Sequence, residues 1–232
     1  MTNIFHAKHF TFPYEYKFPG QETTERILYV TRENRILLLL RQVFILLVAT
    51  VLMVIGYFMR RAVNGVLGDE IGSMLTLVLL VFAILFVGIG WWWVTSLWKK
   101  SIAVVTTKRL VKYIYTTPAS RYSLALPLDM IVDTGAYTKG FMQTFLNLGT
   151  FTARSSATSS GVATDDSSRI NKKYFYIENI RKAEDLQHYV GKLLSAARTN
   201  AANLNTFRPF LPDLKGEARA NFIAKNFPQF WS

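Results

Sequence analysis

Residues 71–98 form a long, predominantly apolar run that contains no charged side chain. A helix of a water-soluble protein buries one face and keeps the other polar, whereas a membrane-spanning helix needs about 20 apolar residues in a row. This run is longer than the bilayer core requires, so its last turns must leave the hydrocarbon. We therefore interpret it as a transmembrane span rather than as part of a soluble core.

The end of this run is rich in tryptophan and is closed by lysine. Three adjacent indoles on a helix point in three directions, so packing against a one-sided core does not account for them. Trp instead collects at the membrane–water interface whichever way it points, and Lys follows where the chain meets water. We predict a membrane-interface group formed by Trp91, Trp92, Trp93, Trp98, Lys99, Lys100 and, on the preceding span, Arg41.

Another apolar block lies upstream, at residues 37–59. Only Arg41 and Gln42 interrupt it, and they lie near one end, where a long side chain reaches the lipid headgroups. The block starts too late for a signal peptide and lacks a cleavage site. We therefore predict a two-helix transmembrane hairpin at residues 37–98, with spans at 37–59 and 71–98 and a short loop between them.

Basic residues are distributed unequally about this hairpin. Nine of them flank the two spans, whereas Arg60 and Arg61 lie in the loop at residues 60–70. The positive-inside rule assigns the more basic side to the cytoplasm. We expect a multi-pass protein of the cell inner (plasma) membrane, with both termini cytoplasmic.

The composition of the spans limits the possible functions. Neither span has Asp, Glu, Lys or His at mid-depth, where proton relays and ion pathways place them, so we do not expect a transporter or pump. The sequence contains no cysteine, which excludes disulfides and thiolate metal sites. Gly88 and Gly90 are candidates for close contact with another helix.

After the second span, short β-branched and aromatic runs alternate with turn residues over residues 99–198. Such runs are typical of a meandering antiparallel sheet. Residues 155–168 are rich in Ser, Thr, Gly and Asp, and we expect a mobile loop there. An apolar stripe predicts an amphipathic helix over residues 179–198, with Asn179 as its N-cap.

The order of these motifs resembles the bacterial pleckstrin-homology (PH-like) domain that lies beside a pair of transmembrane helices. The similarity is carried by VTTKRLVKYIY (105–115), LPLDMIVDT (126–134), GFMQTFLNLGTFTARSS (140–156) and YFYIENIRKAEDLQHYV (174–190), preceded by GQETTERILYVTRENRILLLL (20–40). It implies an α+β membrane protein in which the hairpin is followed by a partly open β-barrel of about seven strands, capped by a C-terminal α-helix. That fold hosts binding and scaffolding roles, so the resemblance implies no chemistry.

No residue pattern predicts catalysis. His6 and His9 lack the further ligands that a metal site needs, and His188 is expected on the solvent side of the helix. Asp165 and Asp166 lie in the predicted loop, without the rigid frame that acid–base chemistry requires. The chain has neither a phosphate-binding loop nor a nucleophile motif. We expect a protein that is not an enzyme and has no catalytic residue, metal or cofactor.

Four further basic residues are candidates for contact with anionic lipid: Lys108, Arg109, Lys112 and Arg121. If they share the membrane-facing side, each adds about 1 kcal/mol of attraction to acidic headgroups. The alternative is that they are solvated loop charges. Nucleic acid is not an expected partner, because the basic residues surround a membrane anchor and no base-stacking motif is present.

These patterns favour a membrane-anchored protein that displays a cytoplasmic domain, at residues 99–198, as a binding or scaffolding module for an unidentified protein partner. The alternatives are an anionic-lipid headgroup sensor and a homo-oligomeric membrane pore element. An N-terminal segment (residues 1–36) and a basic, aromatic tail (residues 199–232) flank these parts. Residues 213–227 of the tail are a candidate helix that lies on the membrane, packs on the barrel or binds a partner.

Overall fold

The computed structural model describes residues 2–3, 16–156, 174–199, 204, 207–212, 214 and 216–226. His6, His9, Asp165, Asp166 and all but the first two residues of the predicted loop at 155–168 lie outside these ranges. The chain divides into a helical unit, Asn34–Lys99 with Thr117–Ser120, and a sheet unit that comprises the rest.

The helical unit consists of two long helices, α1 (Arg35–Leu67) and α2 (Asp69–Lys100). The sheet unit contains the strands and the shorter helices. In chain order these are β1 (Thr2–Asn3), β2 (Tyr16–Lys17), β3 (Ile27–Thr31), β4 (Ile102–Thr106), β5 (Arg109–Tyr115), β6 (Arg121–Pro127), β7 (Ile131–Tyr137), α3 (Gly140–Phe145), β8 (Gly149–Ser155), β9 (Tyr174–Ile180), α4 (Ala183–Thr199) and α5 (Gly216–Asn226). A 3-10 turn, Leu128–Met130, joins β6 to β7.

Both long helices expose apolar surface. The segments Arg35–Gly65 and Asp69–Lys100 are long and apolar enough to cross a membrane, and only 11% and 6% of their most apolar stretches is buried inside the protein. The core helix of a soluble protein is mostly buried, and soluble monomers rarely expose contiguous apolar patches of this size. The prediction of two long apolar helices near the N-terminus is confirmed.

Small and polar side chains mark the contact between α1 and α2. A Cβ atom added to Gly90 would lie 3.3 Å from Ile45, so the absence of a side chain allows the two helices to approach closely. Gln42 is buried and donates a hydrogen bond from Nε2 to Thr95 Oγ1 at 3.1 Å. Close packing is therefore confirmed at Gly90, whereas no other side chain approaches the position of a Cβ on Gly88 within 4 Å.

The turn between the helices is tighter than the sequence indicates. Residues 60–67, predicted as part of the loop, continue α1 as far as Leu67, and α2 starts at Asp69. Gly68 makes the turn with φ +88°, a conformation that glycine adopts without steric cost. Asp69 and Glu70 occupy the first turn of α2, where the helix dipole favours acidic side chains.

The sheet unit contains two open antiparallel sheets instead of one barrel. One has the order β3-β4-β5-β6 and the other β7-β8-β9, and no ladder joins them among the described strands. Strands β4 to β9 coincide with the β-branched and aromatic runs of the sequence, so the α+β class is confirmed. Within the motif at residues 140–156, the first residues form the short helix α3, and strand β8 begins only at Gly149.

One strand of the larger sheet comes from the segment that precedes the helices. β3 pairs with β4 in antiparallel fashion, with Thr31 opposite Ala103 and Ile27 opposite Thr106. The sheet therefore has a helix-connected end, where β3 leads into α1 and β4 follows α2, and a distal end at Ile27 and Thr106. The larger sheet thus takes one strand, β3, from residues 1–36 in addition to those within 99–198.

The main core lies between the two sheets and α4. Leu186, Val190 and Leu193 of α4 are buried, which confirms the apolar stripe predicted for this helix. They pack with residues such as Phe151 and Phe175 of the smaller sheet. A second cluster, formed by Tyr16, Phe18, Ile27, Val30, Ile102, Val104, Val111 and Tyr113, covers the other face of the larger sheet.

The predicted start of the C-terminal helix is wrong. α4 begins at Ala183, and Asn179 belongs to β9. Asn179 has φ +57°, which asparagine tolerates better than most residues, and its side chain bonds to other elements instead of capping a helix.

We predict that Gly149→Ala lowers the free energy of unfolding of the sheet unit by about 1–3 kcal/mol, the usual cost of overpacking. Gly149 starts β8 where α4 begins, and an added Cβ would stand 2.7 Å from Ala183 Cβ. Gly191→Ala, within α4, is the matched control, because an added Cβ there meets no atom within 4 Å. It should stabilise α4 by about 0.5–1 kcal/mol. Thermal unfolding of the two variants in detergent micelles distinguishes them, and equal stabilities would contradict the close contact.

Candidate functional site

The predicted membrane-interface group lies at one end of the helical unit. Trp91, Trp92 and Trp93 are all partly exposed on α2. The hydrogen bond between Gln42 and Thr95 brings the preceding residue, Arg41, to the same level of the hairpin as these indoles. Trp98, Lys99 and Lys100 follow in the last turn of α2.

The four basic residues predicted to contact lipid do not form one surface. Arg109 pairs with Pro127 and therefore lies at the distal end of the larger sheet, whereas Arg121 pairs with Tyr115 at the helix-connected end. Strands rise about 3.3 Å per residue, so the six steps along β5 separate the two arginines by about 20 Å. Lys112 points to the opposite face of β5 from Arg109, because successive side chains of a strand alternate.

Arg109 is held by a buried carboxylate at the distal end. Its Nε and Nη2 donate to the two oxygens of Glu25, at 3.0 and 2.9 Å. Glu25, which is 3% exposed, also accepts hydrogen bonds from Thr106 Oγ1 at 2.7 Å and from the backbone N–H of Glu22 at 3.2 Å. This network fastens the segment before β3 to the turn between β4 and β5.

The network also sets the ionisation of its members. Burial raises the pKa of the Glu25 carboxyl, but hydrogen bonds from Arg109, Thr106 and the Glu22 backbone outweigh burial, so the pKa is lower than usual. The hydrogen bond to Glu25 in turn raises the pKa of Arg109. The guanidinium and the carboxylate therefore stay charged and paired in neutral solution.

The remaining basic residues have different partners at different ends of the sheet. Lys108 forms an exposed ion pair with Glu22 at 2.5 Å, next to the pair of Glu25 and Arg109. At the helix-connected end, Lys100 lies 5.4 Å from the ring centroid of Tyr115, and Arg121 lies 5.5 Å from that of Tyr113. Cations stacked on rings at this distance are attracted by the electron-rich face of the aromatic system.

Lys112 is the most unusual of the four. Its Nζ lies 3.9 Å from the ring centroid of Tyr176 on β9, so it connects the two sheets. Burial lowers the pKa of Lys112 to about 8, and the nearby Glu178 and Glu33 only partly oppose this effect. Burial also raises the pKa of the Tyr176 hydroxyl.

The sequence did not indicate an open groove of about 650 Å³ in the sheet unit. One wall is α4, with Asp185, His188 and Lys192, and the other is formed by residues 207–212 with Leu214 and Arg219. The rings of Tyr189, Phe207 and Phe210 lie between the walls. Three basic side chains and one acidic side chain line the groove, so it suits an acidic or aromatic ligand segment.

The second wall is fixed to the sheet unit by hydrogen bonds. Phe210 N–H donates to Leu28 C=O at 3.0 Å, and Tyr189 Oη donates to Arg208 C=O at 2.6 Å. Lys182 Nζ donates to Pro212 C=O. Within the second wall itself, Arg219 Nη2 donates to Pro209 C=O at 3.0 Å. Residues 207–212 of the tail therefore pack on the domain.

The aromatic residues of the tail were the available sequence signal for this groove. Phe207 and Phe210 are three residues apart, next to Pro209, and both contact the ring of Tyr189.

His188 is exposed at the groove, as the helix periodicity predicted. Over the described part of the chain, no three His, Asp or Glu side chains form a group that could hold a metal ion.

We predict that Glu25→Gln lowers the free energy of unfolding by about 3 kcal/mol at pH 7, because it leaves a partly buried arginine without its counter-ion. Glu22→Gln, which removes the exposed pair with Lys108, should cost about 1 kcal/mol or less. The folded-state pKa of Glu25 is depressed, so its contribution is present above the ordinary carboxyl pKa and is lost as the pH falls through the lowered value. Thermal unfolding of both variants between pH 7 and pH 3 tests this, and a constant deficit for Glu25→Gln would contradict it.

We predict that Lys112→Met stabilises the protein at pH 7 by about 1–3 kcal/mol, because it removes the cost of burying a charge. The folded-state pKa of about 8 lies below the ordinary value of 10.5, so wild type carries the full penalty below pH 8 and loses it as the pH rises towards 10.5. The advantage of the variant should therefore shrink between pH 8 and pH 10 in thermal unfolding. Lys108→Met is the control, with little effect at any of these pH values.

No protein-family model, curated protein or solved structure matches this chain. Its function must therefore be inferred from the contacts and the surface of the chain itself.

Proposed function

We propose that this protein is a membrane-anchored binding module that displays a cytoplasmic domain to a protein partner. In this proposal α1 and α2 span the inner (plasma) membrane, and both termini remain in the cytoplasm. The apolar outer surfaces of the two helices support the anchor, because such surfaces are stable in lipid and not in water. The exposed indoles near Arg41 fit the interface between hydrocarbon and water.

We further propose that the sheet unit is a divergent PH-like domain. In its support, four strands form one antiparallel sheet, three form the next, and one long helix follows the last strand. The two sheets pack around a shared core with α4, as they would in a barrel opened along its seams. The PH-like fold itself is associated with binding and not with one chemistry.

The groove between α4 and residues 207–212 is the observation that carries the binding role. It combines an apolar aromatic floor with basic side chains at its edge, the composition that orients a peptide while burying its apolar groups. The hydrogen bonds to Leu28 and Tyr189 fix the second wall of the groove before any ligand binds. A preformed groove lowers the entropic cost of binding. We propose that it accepts an acidic, aromatic segment of the partner.

We predict that a photo-crosslinking amino acid at His188, in the groove, captures a protein partner in intact cells. The same amino acid at Asp129, an exposed residue at the distal end, is the control. Lys192→Glu should weaken the capture several-fold, since loss of one charge pair costs about 1 kcal/mol. Lys17→Glu, an exposed charge reversal on β2, should leave it unchanged. Mass spectrometry of the crosslinked product identifies the partner.

The other outcomes of this experiment favour the alternative functions. A crosslink from His188 to phospholipid would favour an anionic-lipid sensor, and a crosslink between two copies of the chain would favour a homo-oligomeric element. Equal capture at His188 and Asp129 would contradict a binding role for the groove.

A further inference from the structure

Two phenylalanines of α3 are exposed at the tip of the connection between β7 and β8. Phe141 and Phe145 are 78% and 75% exposed, more than any other large apolar side chain described in the chain. They are one helical turn apart, and their rings stack with centroids 5.8 Å apart and an interplanar angle of 15°. Met142 beside them is also exposed, so the tip presents a small continuous apolar surface.

This tip is held rigidly, because the opposite side of α3 is bonded to the smaller sheet. Gln143 Nε2 donates to Thr150 Oγ1 at 3.0 Å and to Asn179 Oδ1 at 2.8 Å. Gln143 Oε1 accepts from the backbone N–H of Lys139 at 2.8 Å. The helix therefore presents its aromatic pair outward in a fixed orientation.

The same hydrogen bonds locate the tip within the sheet unit. Asn179 Nδ2 donates to Glu33 Oε1 at 2.7 Å, so Gln143, Asn179 and Glu33 form a continuous chain of contacts. Glu33 is the last residue before Asn34, the N-cap of α1. α3 therefore lies at the helix-connected end, where the polypeptide leaves the sheet unit for the first apolar helix.

We propose that the α3 tip inserts into the surface of the same membrane that α1 and α2 cross, and so fixes the orientation of the domain on the bilayer. The inference rests on the membrane anchor of the proposed function. The apolar stretch of α1 begins within a few residues of Glu33, and each residue spans at most about 3.6 Å. The end of the domain that carries Glu33, and with it the aromatic pair, must then lie close to the lipid headgroups.

The size and surroundings of the tip favour lipid over a second protein surface. Two phenylalanines and a methionine offer about 300–500 Å², whereas a stable protein interface buries about 800 Å² per partner. The flanking residues are Tyr137 and Lys139, both exposed, and these are residue types that suit the headgroup region. In this proposal the apolar side chains of the tip enter the acyl region of the bilayer, and Tyr137 and Lys139 remain among the lipid headgroups.

The absence of cysteine from the chain allows single labels to test this proposal in the full-length protein. Phe141→Cys, Asp129→Cys and Val51→Cys, each labelled with the environment-sensitive fluorophore NBD, are reconstituted into phosphatidylcholine vesicles with iodide on both sides. Asp129 is an exposed site at the distal end, and Val51 lies within α1. We expect the label at position 141 to resemble the one at position 51: blue-shifted emission, loss of iodide quenching, and quenching by nitroxide-labelled lipid. The label at position 129 should show the reverse.

Three results would overturn the proposal, and they differ from one another. If the label at position 141 matches the one at 129 while position 51 is in lipid, the tip does not insert and the anchor stands. If positions 51 and 141 are both accessible to iodide, the membrane anchor fails and the insertion fails with it. If position 141 is protected from iodide and from lipid quencher alike, protein covers the tip instead of the bilayer.

Discussion

The antiparallel pairing of β3 with β4 is the contact on which the rest of the structure depends. It joins the polypeptide before the two long helices to the polypeptide after them, with Thr31 opposite Ala103. The strand that leads into α1 and the strand that follows α2 are thereby held side by side in a single sheet. The ion pair between buried Glu25 and partly buried Arg109 reinforces this pairing at the distal end, because it connects the segment before β3 with the turn that follows β4.

The basic residues of the sheet unit lie at different positions along the larger sheet and have different physical roles. At the distal end, Lys108 and Arg109 are paired with carboxylates and hold the chain together. In the middle of the sheet, Lys112 lies over Tyr176 at a position where its charge is costly. Near the helix-connected end, Lys100 and Arg121 stack on tyrosine rings. A high net charge is therefore not by itself a binding surface, since the partners of each residue decide what its charge does.

The parts of the structure that local sequence determines were predictable. The charge-free run at residues 71–98 indicated a long apolar helix, and the spacing of Leu186, Val190 and Leu193 indicated the buried face of α4. Strand β3 was not predicted, because Glu25 and Glu33 frame a short apolar stretch whose partner strand follows two long helices. Likewise, Phe141 and Phe145 suit a strand as well as a helix, and the contacts of Gln143 select the helix.

The candidate site was less predictable than the fold, because it depends on contacts between distant segments. The groove exists only because Phe210 of the tail bonds to Leu28 of β3 and packs on Tyr189 of α4. Lys112 likewise contacts Tyr176 only because the two sheets pack together, so its side of β5 does not by itself predict that contact. Periodicity identifies the residues of one element that share a face, and it does not identify the element that packs against that face.

The position of β3 also determines when the larger sheet can form during synthesis of the chain. A ribosome releases β3 first, and its hydrogen-bonding partner emerges only after the whole of α1 and α2 has been made. Until then the backbone edge of β3 has no strand beside it, and Leu28 has no core to enter. The larger sheet can therefore be completed only after both helices have been synthesised. A chain whose synthesis stops between the helices would have β3 but not its partner β4.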